Sequence, residues 1–255
     1  MENWEIALNK FVDEWKSKPE VTGMIVCGSY ITWNPTSHSD IDIQIILKEG
    51  TTWRERGNEI IDGVLVEYFA NPLVQNMKYY KEDYENRRKV NIHMYTTGKI
   101  LFDKTWDLES IIEKAKDWNK KKYKKPGEIP TEIDKYFIWD MNDNLEEIAD
   151  KQWEEFYMTY YVHLEKILEK YSKFLWFEHI PTHKIKRFLI DEKDKKKYNI
   201  DNFPDTNFLK MYVEAIKLQD IETMMKNYQQ LTKYVLKKMW WFNIDGWKIR
   251  TELDL

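Results

Sequence analysis

Hydrophobic residues open the chain with the period of a helix. Across residues 3–17, Trp4, Ala7, Leu8, Phe11 and Trp15 recur at helical spacing with charge between them, which predicts an amphipathic helix. The pattern then changes to short apolar runs. "VTGMIVCG" (21–28) predicts a buried strand ending in glycine, and "DIDIQIIL" (40–47) a second strand after a polar loop. "TTWRERGNEII" (51–61) has no clean period and is expected to be a short helix or an irregular excursion. "DGVLVEYF" (62–69) starts with a turn signal and continues as a third strand. A polar segment at 72–94 reads as helical, and "GKILFDK" (98–104) as a short fourth strand.

The pattern shifts again near residue 119. "NKKKYKKPGEIP" (119–130) is a charge run followed by Pro126, Gly127 and Pro130, the composition of a linker. Beyond it, helical periodicity is expected at 131–149, 152–178, 182–190, 206–218 and 220–243, with breaks at Pro181 and around "KYNIDNFPDTN". The implied class is α+β. A domain at 1–118 carries a small mixed sheet with flanking helices, and an all-α bundle follows at 131–255. No internal repeat is visible.

Composition narrows the setting. Of 255 residues, 42% are hydrophobic and 33% charged, as in a folded globular protein and unlike a disordered one. Net charge is −4, which weighs against duplex nucleic acid as a partner. Cys27 is the single cysteine, so an intramolecular disulfide is excluded and a reducing cytoplasm is the expected location. In the apolar run "MIVC" it reads as a buried structural thiol. No stretch approaches the roughly twenty apolar residues needed to cross a bilayer.

Against this background Asp40 and Asp42 stand out, two carboxylates inside an isoleucine-rich strand. Residues at i and i+2 share a strand face, so the two acids stand together, about 7 Å apart at Cα, while Ile41 and Ile43 enter the core. If the third strand lies beside the second, at about 4.8 Å spacing, Glu67 joins them. Three carboxylates this close repel one another unless cations neutralise them. Mg²⁺ suits the set, because it favours a few carboxylates together with substrate phosphates. Gly28 lets the backbone turn tightly and approach a ligand, and Ser29 adds a hydroxyl and an amide N–H, so the turn is expected to cradle a triphosphate. Two metal ions about 4 Å apart would activate the attacking oxygen and stabilise the leaving pyrophosphate. Two roles stay open for Ser39: orienting a phosphate, or starting the strand.

"GSYITWNPTSHSDIDI" resembles the signature of the nucleotidyltransferase (polymerase-β-like) superfamily: Gly-Ser, about ten residues, Asp-hydrophobic-Asp-hydrophobic, then a third acid on a later strand. The likeness covers about residues 20–105, and "GKILFDK" is similar to the last strand of that domain in small bacterial members. It implies Mg²⁺-dependent transfer of a nucleoside monophosphate from an NTP, with AMP from ATP expected, to an acceptor hydroxyl. Asp40, Asp42 and Glu67 would hold metal; Gly28, Ser29 and Ser39 would face the nucleotide. In relatives the third acid either ligates metal or takes the acceptor's proton, and both roles stay open for Glu67. Length and the helical second half are similar to the aminoglycoside and lincosamide nucleotidyltransferases of antibiotic resistance. Modification of a protein or tRNA, or a non-catalytic antitoxin-like role, are the alternatives.

Other chemistry-bearing residues add little. His38 and His93 read as solvated or packing residues. His179 and His183 lack a third metal partner and are separated by Pro181. On "KYFIWDMNDNLEEIADKQW" (135–153), Phe137, Ile138, Met141, Leu145 and Ile148 are expected to form the apolar face, with Asp140, Asp143 and Glu147 together on the other. The acceptor is expected in a cleft between 20–105 and 131–255, with those three acids as candidates for a cationic acceptor.

Overall fold

The computed structural model describes residues 2–151 and 154–251. They form two compact units, one of the described residues up to 121 with Lys196–Asn199, the other of the described residues from 122 to 195 and from 200 onward.

In the first unit, α1 (Asn3–Lys16) leads into a five-stranded mixed sheet of order β3-β4-β2-β1-β5. The strands are β1 (Val21–Cys27), β2 (Ile41–Leu47), β3 (Glu55–Ile61), β4 (Val64–Pro72) and β5 (Lys99–Asp103). β2 and β4 run parallel, and the other neighbours are antiparallel. Helices α2 (Leu73–Glu85) and α3 (Val90–Thr97) precede β5, and α4 (Asp107–Asn119) follows it. Alternation along the central strands builds two cores. Ile41, Ile43, Ile45 and Leu47 pack with Ala7, Phe11 and Trp15 of α1, whereas Ile25 and Ile46 pack with Tyr80, Ile92, Tyr95 and Leu108 of α2, α3 and α4. β1 is buried along its whole length, so it reads as a continuous apolar run.

The excursion expected at 51–61 is instead a strand, β3. It is an edge strand with alternating exposure, and its charged residues conceal the pattern. The signal lay in Asp62-Gly63, both at positive φ (51° and 80°), the conformation of a two-residue hairpin turn. Such a turn requires a strand on each side. The helical segment expected at 72–94 is two helices. Asp83 of the first accepts the backbone N–H groups of Asn91 and Ile92 at the start of the second (2.6 and 3.4 Å).

The second unit is helical: α5 (Glu128–Asp150), α6 (Phe156–Phe174), short turns at 182–190, α7 (Glu192–Lys197), α8 (Thr206–Ala215) and α9 (Ile221–Lys238). α7 ends in the segment grouped with the first unit. Pro130, read as linker, falls in the first turn of α5, where a missing N–H costs nothing. The helix expected at 152–178 spans Phe156–Phe174; residues 152 and 153 lie outside the described residues. The apolar face expected on α5 is also different. Ile138 and Leu145 are buried, but Phe137 is exposed and Asp134 and Lys135 take inward positions. Asp134 receives Lys170 and Lys173 of α6 at 2.8 and 2.9 Å. Lys135 pairs with Glu132 and donates to the carbonyl of Trp241 at 3.0 Å. No described helix is long and apolar enough to cross a membrane.

Candidate active site

The site begins with the register of two strands. Parallel pairing sets Asp42 opposite Glu67, so the two carboxylates leave the same face of the sheet side by side. Asp40 sits one residue before β2 with the parity of Asp42. Each of the three offers a carboxylate oxygen, and these atoms lie within 4.8 Å of one another. All three residues are half-buried, while Ile41, Ile43 and Val66 between them are fully buried. Core packing of Ile41, Ile43 and Val66 therefore presents the acids on the opposite face.

Gly28 closes the other side. It ends β1 at φ +79°, and a Cβ there would lie 1.9 Å from Asp42 Oδ2. The carboxylate occupies the space that any side chain at position 28 would need. Ser29 follows in a tight turn in which Thr32 N–H donates to the Gly28 carbonyl (3.1 Å) and Asn34 N–H to that of Ser29 (3.0 Å). The Tyr198 hydroxyl lies 2.7 Å from Thr32 Oγ1. Ser39 Oγ accepts the Thr36 N–H at 2.8 Å and so closes the loop ahead of the acids.

Two features of the site were not read from sequence. Arg56 of β3 pairs with Glu67 through a 2.8 Å contact to Oε1, and its guanidinium lies 4.8 Å from the Phe69 ring centroid. The antiparallel register places Asn58 opposite Glu67 and Arg56 opposite Phe69, so Arg56 shares the acids' face. A strand reading of 55–61 would have revealed it. Gln44 is the next residue inward on the same face as Asp42; it is buried and donates to Met94 Sδ at 3.4 Å. The negative field is felt across the sheet. Burial pushes the Cys27 thiol pKa well up, and Asp42 and then Asp40 push it further. Cys27 pairs in register with Asp42, and such a thiol is inert.

The remaining sequence candidates belong to the second unit. Asp140 accepts from Asn144 (3.2 Å), Glu147 pairs with Lys151, and Asp143 is exposed; all lie on α5 of the second unit. Among the described residues, the carboxylate trio is the group with metal-binding spacing, and His179 and His183 form no such group.

Hard carboxylate oxygens clustered beside a glycine-bearing turn fit a divalent cation and the phosphates it neutralises. Mg²⁺ takes oxygen ligands at about 2.1 Å, so those of one ion stand roughly 3–4 Å apart, close to the spacing here. A mixed sheet bearing such a trio is an arrangement suited to a metal-dependent nucleotide-transferring enzyme. The chain belongs to the nucleotidyltransferase domain family, which matches residues 8–196. Its fold is α+β, and its acidic trio is the candidate catalytic centre. Among solved structures, a nucleotidyltransferase-like protein from Exiguobacterium sibiricum is similar over 92% of this chain and 75% of its own, at 10% identity and a TM-score of 0.46. No curated protein matches the sequence significantly.

Proposed function

We propose that the protein transfers AMP from ATP, with Mg²⁺, to a hydroxyl of a small-molecule acceptor such as an aminoglycoside or lincosamide antibiotic, releasing pyrophosphate. The observation that carries the reading is the meeting of Asp40, Asp42 and Glu67 within 4.8 Å beside Gly28. Mg²⁺, when bound, would neutralise the triphosphate and stabilise charge on the leaving pyrophosphate. Asp40 and Asp42 hold it. Glu67, paired with Arg56 through Oε1, would complete the set. Gly28 leaves room for the Asp42 carboxylate against the backbone, and the Ser29 amide and hydroxyl donate to the phosphates. Ser39 holds the loop that brings Asp40 to Asp42. In the reaction the acceptor oxygen forms a bond to the α-phosphorus, the bond to the pyrophosphate oxygen breaks, and the acceptor's proton passes to solvent or a carboxylate.

Acceptor recognition is assigned to the helical residues 131–255, whose many rings offer flat apolar surface to a ring-bearing substrate. The test is pyrophosphate release from each NTP, with and without Mg²⁺, against aminoglycosides, lincosamides and tRNA. Mg²⁺-dependent release from ATP with one small-molecule class supports the reading. Release with tRNA alone, or release that persists in EDTA, overturns it.

A further inference from the structure

The chain leaves α9 through two consecutive tryptophans in the left-handed region, Trp240 at φ 67° and Trp241 at φ 66°. Bulky residues rarely adopt this conformation, which is strained and persists only where the surroundings impose it. Here the turn is held from both sides. Trp241 N–H donates to the Leu236 carbonyl at 2.9 Å, and the buried Lys135 ammonium donates to the Trp241 carbonyl at 3.0 Å. The result carries Trp241 and Phe242 to the rim of a cavity of about 280 Å³ between α5 and α9, with Trp139 also lining it.

The polar part of this cavity is built as carefully. Glu146 of α5 has one carboxylate oxygen fixed by two amides, Asn142 Nδ2 at 2.7 Å and Gln229 Nε2 of α9 at 2.9 Å. Both amide nitrogens are committed to the acid. The oxygen of Asn142, Oδ1, is buried with no hydrogen-bond partner, and Asn142 is among the residues lining the same cavity. A buried acceptor without a donor is destabilising. Aromatic walls, a fixed carboxylate and an unsatisfied acceptor converge on one kind of guest: a group with several N–H donors, a positive charge and a flat ring.

We propose that this cavity is a binding site for a compact, ring-bearing primary amine, with the ammonium on Glu146 beside Asn142 and the ring among Trp139, Trp241 and Phe242. The volume equals that of roughly nine waters, enough for a two-ring amine and too little for a large ligand. Lys233 lies at the exposed rim and weakens the site for a cation without abolishing it. The proposal stands on the cavity alone, independently of nucleotidyl transfer.

Calorimetry on the full chain with tryptamine, its neutral analogue tryptophol and the anionic indole-3-propionate tests it, without nucleotide or metal. Tryptamine is expected to bind at least about tenfold more tightly than tryptophol, and indole-3-propionate not at all. Glu146→Gln keeps an oxygen for both amides, so the α5–α9 bridge survives; it should weaken tryptamine about tenfold and leave tryptophol unchanged. Lys233→Gln should strengthen tryptamine about twofold. Leu236→Phe fills the cavity and should abolish all binding while the melting temperature holds, which decides the matter even if the Gln variant folds poorly. Equal affinity for amine and alcohol, no binding by any probe, or full binding in Leu236→Phe would each overturn the site.

Discussion

Asp134 in the helical unit and Asp42 in the sheet are both acids with restricted access to water, yet they meet charge in opposite ways. Asp134 lies between two lysines of a neighbouring helix, at 2.8 and 2.9 Å, and its charge is met from within the fold. Asp42 stands with Asp40 and Glu67, acid beside acid, where Arg56 reaches Glu67. The first arrangement ties α5 to α6. The second brings like charges together and gains stability when a cation arrives from solution. Burial alone distinguishes the two poorly; the sign of the neighbours does.

The sharpest way to break this comparison is Asp42→Asn. Turnover in the pyrophosphate assay should fall by roughly a thousandfold or more, because the shape remains and the charge that holds the cation is gone. The melting temperature without metal should hold or rise as repulsion is relieved, and its increase on adding Mg²⁺ should shrink. Undiminished activity would place the cation elsewhere. Gly28→Ala should come next. Its Cβ would lie 1.9 Å from Asp42 Oδ2, at a backbone angle that only glycine adopts freely. A stability loss of about 2 kcal/mol is expected in urea titrations, with activity reduced nearly as far as in Asp42→Asn.

Asp134→Asn probes the other side. Leaving Lys170 and Lys173 without their acid should cost about 3 kcal/mol of stability. The stabilisation conferred by Mg²⁺ should be unchanged, since that effect belongs to the sheet. A variant that lost the Mg²⁺ response would dissolve the distinction between the two clusters. The smallest effect concerns His163 on α6. Burial lowers its pKa from the usual 6.5, against the opposing pull of the Met141 carbonyl and Asp140. The unfolded chain therefore binds the proton more readily. This contribution to stability is present above about pH 6.5 and is lost as the pH falls toward the lowered folded-state value. Urea midpoints at pH 7.5 and 5.5 should converge in His163→Gln relative to the parent chain.

What could be read in the sequence follows from these differences. β1 is legible because it is buried along its whole length, and β2 and β4 because their core-facing positions, Ile41, Ile43, Ile45, Val66 and Ala70, keep an apolar alternation. The pairing of Asp40 with Asp42 is legible because strand parity fixes a face without coordinates, whereas Glu67 joins them only through the parallel register of β2 and β4. β3 was hidden because an edge strand with charged residues has no pattern to show, and Arg56 was hidden with it. Inward charge on α5 was illegible for another reason. Asp134 and Lys135 can turn inward because Lys170, Lys173, Glu132 and the Trp241 carbonyl await them, and no helical period records partners from other segments. Phe137 is pushed to the surface, its ring 4.6 Å from the Lys170 ammonium.

The empty Cβ position of Gly28 bears on how this chain can evolve. Any first step at residue 28 collides with the Asp42 carboxylate. Shortening residue 42 to make room removes the group that defines the active site. The two positions thus constrain each other, and no single-codon path leads from this pair to a different working pair. In a saturation library selected for activity, position 28 should return glycine alone. In a library selected only for folding, substitutions at 28 should appear together with a small residue at 42, marking lineages that keep the sheet and abandon its chemistry.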